Sequence, residues 1–213
     1  MKNIIIALII LFNATVAIAQ SKKDGSHIQP DNYYPKVMLH TSMGNITVEL
    51  YRAKAPIAVN NFLRYVERGR YEGLLFHRIV PNFVVQTGGY DTDFKGIKTF
   101  PKIFNESGNG LKNEAYTIAM ARDNDPHSAM SQFYFNLRDN ESLDPGKNWG
   151  YTVFGYVTEG TEIIDAMAEV ETEYNVTVRW HDVPKQPIIL EKVTILPPFE
   201  AVPAQTSTAP EEG

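Results

Sequence analysis

The strongest constraint on the fold of this chain is a series of short strand-like segments separated by turn residues. Residues 36–41 and 45–50 flank a turn that contains Gly44, and apolar side chains alternate with polar ones in the second segment. These two segments predict a β-hairpin. Further strand-like runs occupy residues 74–80, 83–86, 117–121, 132–136, 151–157 and 188–196.

Two amphipathic helices are predicted among these strands. The first begins at Ala55-Pro56, because proline at the first helical position sacrifices no hydrogen bond, and it ends at Arg68-Gly69. The second covers residues 161–170. Strands and helices do not alternate as they do in a parallel sheet, so the pattern favours a closed antiparallel barrel, in which no sheet edge is exposed.

Both ends of the chain differ in composition from its middle. A positive start at Lys2, an apolar run at 4–12 and the small residues Ala17 and Ala19 are typical of a secretory signal peptide at residues 1–19. A membrane anchor is the alternative, although the run is shorter than the roughly 20 residues that span a bilayer. We expect a disordered polar leader at 20–32, one domain at 33–197 and a disordered Pro/Ala/Glu-rich tail at 198–213.

Charge and cysteine content exclude several kinds of function. The net charge of −5 provides no basic surface for nucleic acid or anionic lipid. The chain contains no cysteine, which rules out disulfides, thiolate nucleophiles and thiolate metal ligands. No second histidine stands at ligand spacing from His77, so no metal site is predicted.

The most informative segment runs from Phe76-His77-Arg78 to Gly88-Gly89 and combines charged residues with large apolar ones. An arginine within an apolar strand is costly unless it is paired or lies at the mouth of a cleft. Taken alone, the spacing favours an Arg78 that lies over its own strand at the surface or pairs with a carboxylate. It favours still more strongly a His77 that is a core or rim histidine bonded to backbone. Three other informative segments are Ala119-Met120-Ala121, Ser131-Gln132-Phe133 and Val153-Phe154-Gly155.

Together these segments resemble a cyclophilin, in order and spacing, over nearly all of residues 36–196. The runs from Asn105-Glu106 to Gly110-Leu111 and over 117–122 are more similar to the bacterial branch of that family. The resemblance implies a mainly β fold, a closed eight-stranded antiparallel barrel capped by two α-helices. It also implies a peptidyl-prolyl cis/trans isomerase that needs neither cofactor nor metal.

The resemblance assigns roles to individual residues. Arg78 matches the catalytic arginine of the family, and Gln86 matches the residue that orients it. The substrate groove is expected on the outside of the barrel. Its proline pocket and adjoining surface are expected to include Phe76, His77, Phe83, Val84, Ala121, Arg122, Gln132, Tyr134, Leu143 and Tyr151.

A guanidinium group suits this reaction. Rotation breaks amide resonance, so the uncatalysed barrier is about 18–20 kcal/mol. In the twisted amide the proline nitrogen regains a lone pair, to which an arginine N–H can donate without transferring its proton. Catalysis then results from tighter binding of the twisted amide than of either planar form.

Three positions depart from the family pattern. Val84 stands where Met is more common, Tyr134 where Phe is typical, and Ser142 where an aromatic residue is usual. Ser142 is the most consequential, because it opens one wall of the proline pocket. Trp149 either folds back over that gap or lies exposed in a loop, and the sequence favours neither arrangement.

Two functional alternatives remain open at this level. A proline-recognition or chaperone module could keep the groove without significant turnover, and Ser142 and Val84 leave room for it. A small-molecule carrier is disfavoured, because inward residues such as Ile46, Val48 and Leu50 are large enough to fill the barrel.

The expected partners and location follow from the resemblance and the signal peptide. We expect a monomer that acts on proline-containing peptides and on unfolded or folding proteins. It is expected to assist the folding of secreted proteins in a bacterial periplasm, with eukaryotic secretion as the alternative. No nucleic acid partner is expected, and no membrane association after signal cleavage.

Ser142 generates the first testable prediction. Without an aromatic residue before Leu143, the proline pocket should bind cyclosporin only weakly. The inhibition constant measured in a standard isomerase assay should therefore lie above the submicromolar range. A submicromolar constant would contradict the prediction.

Overall fold

The computed structural model describes residues 24–198. The predicted signal peptide, the first residues of the leader and nearly all of the predicted tail lie outside the described residues. Within the described part of the chain, no helix is long and apolar enough to cross a membrane.

The described elements follow the order expected from the sequence pattern, with one addition near the end. The first half contains β1 (Lys36–Thr41), β2 (Gly44–Leu50), α1 (Pro56–Glu67), β3 (Leu74–Leu75), β4 (Arg78–Val80) and β5 (Val84–Thr87). The second half contains β6 (Thr117–Met120), β7 (Phe133–Asn136), a 3-10 helix (Glu141–Leu143), β8 (Val153–Glu159), α2 (Thr161–Ala168), β9 (Thr172–Asn175), β10 (Trp180–Pro184) and β11 (Ile189–Ile195).

Nine strands form one antiparallel sheet in the order β3-β11-β1-β2-β8-β6-β7-β5-β4, and β9 pairs with β10 in a separate hairpin. The edge strands β3 and β4 are consecutive along the chain and are separated only by Phe76 and His77. If β3 and β4 are counted as one interrupted strand, the sheet has the eight strands that were expected. The mainly β, two-helix architecture is therefore confirmed. The continuous eight-stranded closure is corrected to a nine-stranded curled sheet, whose edges are joined by the chain at Phe76-His77.

Alternation along the strands fills the inside of this sheet. Ile46, Val48 and Leu50 of β2 are fully buried, as their period of two predicts. The ring of Phe62 in α1 packs at centroid distances of 5.1–5.5 Å against three other buried rings, those of Tyr71, Phe133 and Phe154. The interior is thus a packed core rather than a lumen, which leaves a small-molecule carrier without its binding space.

The start of α1 is stabilised by a residue that is distant in the sequence. Pro56 occupies the first turn, and the Glu106 carboxylate accepts hydrogen bonds from the N–H groups of Ile57 and Ala58 at 3.1 and 2.9 Å. The carboxylate satisfies two donors that the first helical turn leaves free, and it complements the positive end of the helix. Glu106 therefore ties its own loop to α1.

The leader differs from expectation, because residues 24–32 pack against the barrel. Arg52 is only 7% exposed, and its guanidinium donates to the backbone oxygens of Ile28 and Asn32 at 2.7 and 2.8 Å, and also to that of Gln29. A buried cation requires such acceptors. The polar composition of the leader concealed this contact, since the leader supplies carbonyl groups rather than apolar side chains.

The hairpin of β9 and β10 packs beside β4 and was not among the predicted elements. Trp180 holds it in place, because its ring centroid lies 4.5 Å from that of Tyr90 and 6.0 Å from that of His77. The pairing register shifts between Trp180 and Val183, and Asp182 in this bulge has a positive φ of 62°. Few side chains of the two strands are buried, so no apolar alternation marks them in the sequence.

Replacement of Arg52 tests how the leader is attached. Arg52→Met should lower the free energy of unfolding by on the order of 3 kcal/mol, because several hydrogen bonds to a buried charge are lost together. Denaturant unfolding measures this change, and limited proteolysis should show faster cleavage within residues 24–32. Arg68→Met is the control, since that side chain is 59% exposed. Equal stability of the two variants would contradict the anchoring role.

Candidate active site

Three adjacent strands place the candidate catalytic residues side by side. In the pairs β4–β5 and β5–β7, Arg78 lies opposite Gln86, and Gln86 lies opposite Tyr134. Their sequence neighbours Ile79 and Val85 are fully buried in the core. Because side chains alternate along a strand, Arg78, Gln86 and Tyr134 are turned to the outer face of the barrel.

These side chains border a cavity of about 250 Å³ on the barrel exterior. Its base is a small apolar cluster, separate from the main core, that includes Val84 and Tyr134. All nine residues that line the cavity were predicted as site residues from the sequence: Arg78, Phe83, Val84, Gln86, Ala121, Arg122, Tyr134, Leu143 and Tyr151. The lining thus combines apolar and aromatic surface with two guanidinium groups and one amide, which suits noncovalent binding of an apolar ring beside a polar bond.

Arg78 is held at the edge of this cavity by contacts with two elements. Its Nη1 donates to Gln86 Oε1 at 3.3 Å, and Gln86 Nε2 donates in turn to Gln132 Oε1 at 2.8 Å. Its Nε lies 3.8 Å from Asp182 Oδ2 of the β9–β10 hairpin. The side chain of Arg78 is 38% exposed, so a bound peptide could reach its remaining N–H groups.

Tyr134 forms the cavity floor through a buried polar contact. Its hydroxyl donates to Asn113 Oδ1 at 3.0 Å, and burial raises the pKa of Tyr134 well above its usual value. Asn113 Nδ2 donates to Leu143 O at 3.1 Å, which fixes the loop that supplies Leu143. Sequence reasoning missed Asn113, although a buried Tyr in place of Phe requires an acceptor for its hydroxyl.

Arg122 and Tyr151 form another wall of the cavity. The guanidinium carbon of Arg122 lies 4.4 Å from the ring centroid of Tyr151. Arg122 also donates to the backbone oxygens of Trp149 and Gly150 at 2.7 and 3.3 Å. These contacts hold the segment that leads into β8, so Arg122 stabilises the wall as well as lining it.

A second cavity of about 260 Å³ continues the groove. Gln86, Ala121 and Arg122 line both cavities, and Gln132 lines the second one. Gly89 also lines it, and a Cβ at this position would lie 2.7 Å from Gln132 Cδ. A side chain at this position would therefore displace the end of the Gln132 side chain. The predicted groove residues next to the proline pocket are thus brought together.

Phe76 and His77 do not line the groove, which corrects their assignment to substrate binding. Phe76 is fully buried in the main core, and His77 is 5% exposed beneath the Tyr90 and Trp180 rings. Desolvation lowers the pKa of His77 to about 4, so its ring is neutral near pH 7. Residues next to Arg78 in sequence are turned away from it, because the chain changes sheet edge at this point.

The structure also decides the position of Trp149. Its side chain is 52% exposed and packs against the His127 ring at a centroid distance of 5.0 Å. It does not line the cavity. Ser142 lies exposed in the 3-10 helix before Leu143. Trp149 therefore does not fold back over the cavity.

Solved structures share the fold. A cyclophilin-type peptidyl-prolyl cis-trans isomerase of Cryptosporidium parvum matches 78% of this chain and 99% of its own, with a TM-score of 0.64 and 22% identity. A second structure of that protein, in the presence of the dipeptide Ala-Pro, matches with a TM-score of 0.63. At this identity the likeness supports the fold alone.

Relatives found by sequence are more similar to this chain than that solved structure is. A family model described as cyclophilin type peptidyl-prolyl cis-trans isomerase/CLD matches residues 36–195. Peptidyl-prolyl cis-trans isomerase cyp18 of Streptomyces antibioticus is 47% identical over an alignment 165 residues long, which covers 75% of this chain and 98% of that protein. Peptidyl-prolyl cis-trans isomerase A of Dickeya dadantii is 45% identical over 161 residues, 75% of this chain and 84% of that protein. The chain therefore belongs to the cyclophilin-type peptidyl-prolyl cis-trans isomerases.

Proposed function

We propose that this isomerase rotates Xaa-Pro bonds by holding the proline ring in the 250 Å³ cavity while Arg78 donates to the twisted amide. The observation that carries the proposal is the Arg78–Gln86–Gln132 chain of hydrogen bonds beside an apolar cavity. The C. parvum isomerase, whose structure was solved in the presence of the dipeptide Ala-Pro, supports a proline-containing ligand for this chain as well.

The apolar part of the cavity accounts for the binding of the ring. Phe83, Val84 and Leu143 offer apolar surface on which a pyrrolidine ring can be buried. Holding the ring on this surface allows the carbonyl group before it to rotate while the ring stays still. Removal of water from the amide also favours the twisted form, which is less polar than the planar forms.

Arg78 accounts for the lower barrier. As the amide twists, the proline nitrogen regains its lone pair and becomes a hydrogen-bond acceptor. Gln86 holds one N–H of Arg78, which leaves other N–H groups for the proline nitrogen or for the carbonyl oxygen before it. Because these bonds are stronger in the twisted state than in either planar state, they accelerate rotation in both directions.

The biological role in this proposal is assistance with the folding of secreted proteins in a bacterial periplasm, by a monomer that binds proline-containing unfolded chains. The signal-like segment at residues 1–19 and the similarity to bacterial isomerases support it. Mass spectrometry of the protein from fractionated cells should find it in the periplasm with Gln20 as its first residue. Recovery of the uncleaved chain from the cytoplasm would contradict this role.

Substitution of Arg78 tests the mechanism. The mature protein is compared with its Arg78→Ala and Arg78→Lys variants by NMR exchange on an Xaa-Pro peptide. Loss of a donor that acts on the transition state lowers kcat by about 100-fold or more, and we expect such a loss for Arg78→Ala. Arg78→Lys should not restore turnover, because Lys lacks the planar group that Gln86 orients.

The control is Arg68→Ala, which removes an exposed arginine at the end of α1 and should leave turnover unchanged. Equal turnover in Arg78→Ala and Arg68→Ala would remove Arg78 from the mechanism. If the unchanged protein bound the peptide without accelerating exchange, the groove would be a recognition module, and Ser142 the first residue to investigate.

The pH dependence provides an independent prediction. Turnover should vary by less than about twofold between pH 6 and 9, because no catalytic group transfers a proton. Burial raises the pKa of Tyr134 and lowers that of His77 to about 4, so neither titrates there. A bell-shaped profile centred near neutrality would contradict the mechanism, because it would require a catalytic group that titrates in this range.

Stability, in contrast, should fall in acid. The pKa of His77 is about 4 in the folded protein and 6.5 in its unperturbed form, so the unfolded chain takes up the proton first as pH falls. The free energy of unfolding is therefore highest above pH 6.5, where His77 is neutral in both states. It should fall by on the order of 3 kcal/mol as the pH drops from 6.5 to 4. His77→Phe is the control, because its free energy of unfolding should lack this part of the pH dependence.

A further inference from the structure

We propose that Asp182 is a positioning residue for Arg78. Its carboxylate, on the β9–β10 hairpin, forms an ion pair with Nε of Arg78, while Gln86 accepts a hydrogen bond from Nη1 of the same guanidinium. The inference rests on the proposed function, since it concerns the orientation of the group that acts on the amide.

The first observation is that the two contacts engage different atoms. Gln86 Oε1 lies 3.3 Å from Nη1 of Arg78, whereas Asp182 Oδ2 lies 3.8 Å from its Nε. A planar group that is held at one nitrogen can still rotate about that contact. The Asp182 contact is too long for a hydrogen bond, but the attraction of its charge for Nε favours one direction of the guanidinium plane, and hence of its other N–H groups.

The second observation is the backbone at Asp182. It has a φ of 62° within strand β10, at the point where the register with β9 shifts between Trp180 and Val183. Bulges of this kind redirect a side chain, and a positive φ is uncommon outside glycine, although Asp tolerates it better than most residues. The unusual backbone is therefore located at the residue whose carboxylate contacts Arg78.

The third observation is that the hairpin is anchored to the barrel beside the groove. The Trp180 ring packs against Tyr90, which lines the second cavity, and against Phe94 at a centroid distance of 5.9 Å. Val183 on the other side of Asp182 is 4% exposed. With Trp180 packed two residues before Asp182 and Val183 packed directly after it, the Asp182 carboxylate is presented by a constrained segment.

The exposure of the pair indicates what it can and cannot do. The side chains of Arg78 and Asp182 are 38% and 40% exposed, so their attraction contributes little to stability. Its effect should appear in turnover instead, where a small displacement of the reacting group matters. If the carboxylate merely competed with the substrate for Arg78, its removal would raise turnover instead of lowering it.

The experiment compares the mature protein with Asp182→Asn and Asp182→Glu at low ionic strength. We expect Asp182→Asn to lower kcat about two- to fivefold, the range that an exposed ion pair supports, with little change in KM. Asp182→Glu keeps the charge and should recover part of the loss. Glu173→Gln is the matched control, because it removes one exposed carboxylate from the other strand of the same hairpin, whereas the ion-pair partner of Arg78 is Asp182.

Two readouts separate positioning from a structural role or a substrate contact. At about 1 M salt the screening length falls to about 3 Å, so the unchanged protein should approach the turnover of Asp182→Asn. The loss should also be the same for peptides with a neutral, acidic or basic residue before proline, because Asp182 acts through Arg78. A loss that depended on peptide charge, a loss unaffected by salt, or a gain in turnover would each overturn the proposal.

The Arg78→Ala background distinguishes this inference from the proposed function. There, Asp182→Asn should have no further effect on exchange. If Arg78→Ala were inactive and Asp182→Asn were as active as Glu173→Gln, only the positioning role would fail. If Arg78→Ala retained full turnover, the proposed mechanism would fail first.

Discussion

The register of three neighbouring strands is the constraint on which the site depends. Because β4, β5 and β7 pair with Arg78 opposite Gln86 and Gln86 opposite Tyr134, one face of the sheet carries the polar chain and the other carries core residues. A shift of one residue in either pair would turn these side chains into the core and expose Ile79 or Val85. The packed interior therefore enforces the geometry of the outer groove, since only one register buries the apolar residues.

Buried polar contacts attach the loops and the leader to the apolar core of the barrel. The chain has no cysteine, so its long connections are fastened by hydrogen bonds instead. Glu106 fastens one loop to the start of α1, Arg52 fastens the leader, and Asn113 fastens the loop of Leu143 to Tyr134. Each contact joins residues far apart in sequence, and each satisfies a group that would be costly to bury alone. The contacts of Asn113 act on the cavity itself, because Tyr134 and Leu143 both line it.

Most of the fold and much of the candidate site could be predicted from the sequence, and each exception has a physical cause. The hairpin of β1 and β2, both helices and the nine cavity residues follow from local pattern or from motifs whose order matches the family. The β9–β10 hairpin is mostly exposed and therefore carries no apolar period. Phe76 and His77 adjoin Arg78 in the motif, yet a change of sheet edge turns them inward. Proximity in sequence was a poor guide there because alternation predicts the direction of side chains only within a strand, and Phe76 and His77 lie between two strands.

By itself, the sequence determined the family, the mainly β architecture and the residue types available for the reaction, because these depend on alternation, turn residues and motif order. It also determined that the chemistry must work without a thiol. Only the tertiary structure decided that Trp149 lies away from the pocket, that the leader is bound by Arg52, and that Asp182 stands beside Arg78. These outcomes depend on contacts between segments distant in the chain, whose free energies are set by burial and geometry that no local pattern encodes.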